Sequence, residues 1–68
     1  MKELTTEQTA SFIEKNPTLL GTTVGARFYE HPTRGDEAPI YALLASGVLL
    51  RTNSFDLCDA KDEITGGL

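Results

Sequence analysis

Twelve successive residues, Pro39 to Leu50, carry no charge, and only the Ser46-Gly47 dipeptide interrupts their apolar run. In so short a chain this stretch belongs to the interior. Two local structures compete for it. As a hairpin, Ile40 to Ala45 pairs with Val48 to Asn53 across a two-residue Ser46-Gly47 turn, setting Leu44 opposite Leu49 and Leu43 opposite Leu50. As a helix, Asp36 caps, Pro39 lies in the first turn, and Gly47 terminates. The hairpin is the better reading, because apolar residues fill every position instead of one stripe. A helix apolar all round would need covering on all sides, and 68 residues leave too little material for that.

The flanking segments mix polar and apolar positions. Leu4-Thr5-Thr6-Glu7-Gln8 reads as a helix start, with Thr5 capping and Gln8 returning the bond to the Thr5 N–H. Glu7 suits the positive end of the helix dipole. Ala10, Phe12 and Ile13 form the apolar stripe, and Asn16-Pro17 ends the helix. Leu19, Leu20 and Gly21 then turn the chain back. Thr22 to His31 alternates as one strand, with Val24, Ala26 and Phe28 on one side and Arg27, Tyr29 and His31 on the other. His31 to Pro39 is a loop by composition, nine residues long and expected to stand out and move. Asn53 caps a short C-terminal helix, with Asp56 at its third position and Leu57, Cys58 and Ala60 inward. Residues 1–3 and 65–68 read as flexible ends, and Gly66-Gly67 as a tail.

The expected architecture is therefore α+β in a single domain over residues 1–68. An N-terminal helix packs on a three-stranded antiparallel β-meander, and a short acidic helix closes the chain. Hydrophobic residues make up 40% of the sequence and there is no Trp, so the core is thin and self-association as a homodimer would supplement it. A single cysteine excludes an internal disulfide. No apolar leader and no run of ~20 apolar residues is present, so a soluble, cytoplasmic protein without membrane contact is expected.

Charge narrows the partners. Residues 1–35 balance four basic against four acidic side chains, whereas residues 36–68 set six acidic ones against Arg51 and Lys61, leaving a net charge of −4. Such a surface repels phosphate backbones, which argues against nucleic acid.

Candidate chemistry is sparse. Arg34-Gly35-Asp36 spells the tripeptide that integrins read, but Gly35 in a turn explains it as well. Asn16-Pro17-Thr18 fails as a glycosylation acceptor because proline occupies the middle position. Cys58 and His31 are the one nucleophile–base pair available, and a thiol-dependent enzyme or factor would use them. Asp56, Asp59, Asp62 and Glu63 line up acidic groups on the last helix, the basis for a weak cation-binding regulator. Neither set has the supporting groups of a catalytic or metal site, so no catalytic residue, cofactor or metal is assigned. Arg27, Tyr29 and His31 share one strand face, joined by Arg51 from a neighbouring strand. Arginine and aromatic side chains are frequent binding anchors. The expectation is a small acidic, non-enzymatic module that binds another protein through these four residues, its acidic end steering basic partners.

Overall fold

The computed structural model describes residues 1–66. The predicted first helix forms as α1, Thr6–Glu14, and its start is the reciprocal box: Thr5 Oγ1 accepts from the Gln8 N–H at 3.1 Å, and Gln8 Oε1 accepts from the Thr5 N–H at 3.0 Å. It stops at the Lys15 cap, before Asn16 turns into left-handed backbone at φ 54° and Pro17 follows. Asparagine tolerates that conformation better than most side chains.

The sheet has five antiparallel strands rather than three. β1 is Lys2–Glu3, β2 Leu19–Thr23, β3 Ala26–Tyr29, β4 Tyr41–Leu44 and β5 Leu49–Arg51. Their order across the sheet is β1-β5-β4-β3-β2, so α1 connects the two opposite edges. Two expectations fail here. Leu19 and Leu20 belong to β2 instead of turning the chain back, and the supposed single strand from Thr22 to His31 folds over at Val24-Gly25. Gly25 supplies φ +85° there, and Val24 projects fully exposed at the tip. The residues around the first methionine, read as a loose end, instead pair Lys2 with Arg51 and Glu3 with Leu50.

The apolar stretch does form a hairpin, β4–β5, but one residue out of the expected register. Leu43 faces Leu49 and Ala42 faces Leu50. The Gly47 N–H reaches the Leu44 carbonyl at 2.9 Å, and the Leu44 N–H reaches that of Val48 at 2.8 Å. Ala45, Ser46 and Gly47 thus make a three-residue loop, with Gly47 at φ +94° as its closing residue.

That register sorts the side chains between two faces. One carries Ala26, Phe28 and Ala42, which with Ile40 meet Ala60 of the second helix, α2 (Leu57–Thr65). Leu57 and Ile64 complete its inward stripe at helical spacing. Small residues let α2 approach closely: a Cβ on Gly21 would lie 2.9 Å from Leu57 Cδ2. The other face carries Tyr29 and Tyr41 under Phe12 of α1. Phe12 is the one buried residue of α1, and both Ala10 and Ile13 are exposed, contrary to the expected stripe.

The helix start expected at Asn53 moves to Asp56, whose carboxylate accepts the Cys58 N–H at 3.1 Å. Asn53 is occupied elsewhere, because its N–H donates to both oxygens of Glu63 at 2.9 Å. Thr52 continues the ladder beyond β5: it is fully buried, and both its N–H and its hydroxyl donate to the Ile40 carbonyl. Leu57 and Ala60 point inward as expected, but Cys58, one position after Leu57, is exposed and not inward. Thr65 closes α2 and Gly66 caps it, whereas the remainder of the expected tail, residues 67 and 68, lies outside the described residues.

Candidate functional site

Strand pairing places three of the four nominated residues, Arg27, Tyr29 and Arg51, on one sheet face. Tyr29 lies beside Tyr41, and Tyr41 lies beside Arg51, so an aromatic pair leads into a cation across adjacent strands. Arg27 sits two residues before Tyr29 and pairs with Leu43. The His31 ring approaches Tyr41, with centroids 5.7 Å apart. One thin helix could cover only one face of this sheet and would leave the other open. Instead Phe12 packs edge-on to Tyr29 at 6.1 Å and against Tyr41 at 4.7 Å. Two helices, one on each face, do what one could not. Arg27 and Arg51 remain exposed, while Tyr29 is half-buried.

His31 organises its own loop. Its Nδ1 accepts the backbone N–H of Arg34 at 3.0 Å and that of Thr33 at 3.2 Å. The Gly35 N–H returns to the His31 carbonyl, and Ala38 tucks inward at 4% exposure. The segment from His31 to Pro39 is therefore a turn-rich, internally bonded structure, not the free protrusion that its composition implied. An Nδ1 that accepts must be unprotonated. The imidazole pKa is also lowered, first by desolvation and then by the nearby charges of Arg34 and Lys15.

Cys58 and His31 have separate surroundings. The thiol is exposed in the first turn of α2, which packs on the Phe28 face, whereas the imidazole rests against Tyr41 on the other face. The acidic residues also divide their duties. Asp56 caps the helix, and Glu63 holds the Asn53 N–H and the Ser54 hydroxyl, the latter at 2.8 Å. Among the described residues, no three His, Cys, Asp or Glu side chains gather as a metal-binding group. No helix among the described residues is long and apolar enough to cross a membrane.

A different feature emerges from the topology. The sheet has two free edges of unlike character. β1 is two residues long, and both are charged, the usual protection of an exposed edge. β2 is five residues long and uncharged, with Leu19 at 51% and Leu20 at 37% exposure. No strand of this chain lies outside it among the described residues. The sequence signal for this edge is the uncharged run from Asn16 to Ala26, which the single-strand reading split. α2 packs against β2 and β3, and the side chains of Leu57 and Lys61 lie nearest Gly21 of this edge strand.

Comparison with family models, with curated proteins and with solved structures finds no match to this chain.

Proposed function

We propose that the protein is a non-enzymatic binding module that takes up an extended segment of another protein along β2. The observation that carries this reading is the contrast between the edges: Lys2–Glu3 is short and charged, Leu19–Thr23 longer and uncharged, with two exposed leucines. An added strand satisfies the outward backbone groups of β2 and covers Leu19, a recurrent mode of peptide capture. The net charge of −4, with Glu30, Asp36 and Asp56 around a cleft that Leu20 of β2 borders, favours a segment carrying basic residues. A second copy of the chain is the weaker occupant, since pairing β2 with its own copy brings two acidic helices together. Of the four nominated residues only Arg27, paired with Thr22, lies next to this edge; Arg51 lies beside β1 across the sheet, and Tyr29 and His31 serve mainly to hold α1 and the loop. The exposed Cys58 thiol suits a reducing compartment such as the cytoplasm.

The test is selection from a displayed random peptide library against the folded chain, repeated with Leu19→Lys/Thr22→Lys. Both positions are exposed on β2, so lysines there block the edge without entering the core. The expected peptides are extended, β-branched and basic, and lose binding to the double variant. Peptides that bind the variant equally well refute the edge. A dimer on size exclusion that the variant dissolves assigns the edge to a second copy and also refutes the proposal.

A further inference from the structure

A second concave surface lies beside this edge, between the loop after β3 and the start of α2. It is a cleft of about 270 Å³ that Leu20 of β2 borders. Its apolar part is formed by Ala38, Ile40 and Leu57, with Phe55 as a wall. Ala38 and Ile40 are each 4% exposed, so the floor is fixed by the core. Phe55 is 58% exposed, a large aromatic ring that the fold does not use. Glu30, Asp36 and Asp56 also line the cleft, and no basic side chain among the described residues does.

We infer that this cleft is a pocket for an arginine side chain of the bound segment. The inference rests on the edge-binding reading for the delivery of that side chain. Three features fix the occupant. The volume falls just below the roughly 300–1,000 Å³ of pockets that enclose whole small ligands, which favours one long side chain. An apolar floor beneath a carboxylate rim matches an aliphatic stem that ends in a cation. The exposed Phe55 ring selects arginine over lysine, because a planar guanidinium stacks on an aromatic face while its N–H groups fork to carboxylates. Asp56 already accepts the Cys58 N–H through one oxygen, so Glu30 and Asp36 are the rim groups to vary.

The experiment titrates the isotopically labelled full chain with acetyl-arginine amide, and in parallel with its neutral citrulline analogue and with acetyl-lysine amide. Amide shifts are followed at Glu30, Gly35, Asp36 and 55–57. Arginine is expected to move these signals, lysine less, and citrulline not at all. Glu30→Gln and Asp36→Asn should each weaken binding roughly two- to five-fold, the range of exposed ion pairs. Phe55→Leu should remove the preference for arginine over lysine. Citrulline shifts equal to those of arginine overturn the inference, as do shifts spread evenly over Asp59 and Asp62. Leu19→Lys/Thr22→Lys should leave acetyl-arginine amide binding intact. A pocket that works in that variant while peptide capture fails separates the two proposals, and a pocket that fails while capture persists sinks only this one.

Discussion

Leu49→Ala and Leu50→Ala together test the hairpin register, because adjacent residues of β5 meet different environments. Leu49 is fully buried opposite Leu43, whereas Leu50 is partly exposed opposite Ala42. Truncating an enclosed leucine removes its transfer energy and leaves a cavity, costing ~3–5 kcal/mol. At Leu50 part of the side chain already meets water and the site can collapse, so about 1–2 kcal/mol is expected. At ~0.05–0.15 kcal/mol per residue, a chain of 68 residues holds roughly 3–10 kcal/mol in total. Leu50→Ala should therefore melt about 5–15 °C lower and still fold. Leu49→Ala should stand near the unfolding threshold, and Leu49→Val, expected to cost ~1 kcal/mol, supplies a folded control. Urea unfolding followed by circular dichroism gives each value. A double-mutant cycle then reads the register directly. Leu43 and Leu49 should couple by about 0.5–1 kcal/mol, while Leu44 and Leu49, which lie on opposite faces, should not. Equal losses at Leu49 and Leu50, or coupling of Leu49 to Leu44, would refute the three-residue loop.

Other expected outcomes follow from individual contacts. Thr23 Oγ1 is enclosed without a hydrogen-bond partner among the described residues, so Thr23→Val should be neutral or stabilising by up to about 1 kcal/mol, and a clear loss in a thermal melt would show that the hydroxyl is satisfied. The lowered His31 pKa means that the unfolded chain binds this proton first as pH falls. The stabilisation is thus complete above the unfolded value near 6.5 and is lost as pH drops through the folded one. Melting temperatures between pH 7.5 and 5 should fall more steeply for the wild type than for His31→Gln, and parallel curves would contradict the imidazole cap. Thr5→Ala removes one half of the reciprocal box and should cost about 1 kcal/mol in urea unfolding, whereas an unchanged midpoint would make the cap dispensable. Gly47→Ala forces a side chain into φ +94° and should destabilise by more than ~1 kcal/mol, although nothing stands within 4 Å of its Cβ; a neutral result would mean that the loop readily adopts another turn.

Several elements were readable from local chemistry alone. Thr5 and Gln8 sit three apart, Asn16-Pro17 interrupts a helix, and a glycine divides an uncharged apolar run; each acts within a few residues and each marks the expected boundary, although the glycine closes a three-residue loop and not the two-residue turn. Burial could not be read in this way. Val24 continues the alternation of β3 and yet occupies a turn, because Thr22 and Thr23 find partners in Arg27 and Ala26 across it. Lys2 and Glu3 resemble a loose end, and only the open side of β5 makes them a strand. Cys58 faces outward because the stripe that packs on the sheet is Leu57, Ala60 and Ile64, while Asn53 and Ser54, held by Glu63 ten and nine residues later, stay outside the helix. Of the candidate site, the cations and aromatics of one face were legible. Their cover by Phe12 and the exposed edge at Leu19 were not.

The sequence alone determined the caps, the breaks and the apolar content of this chain, since those depend on neighbours along the backbone. The tertiary structure decided strand register, the division of the helices between the two faces, and which edge stayed open. These depend on the groups brought opposite one another, and a shift of one residue reverses every side chain of a strand.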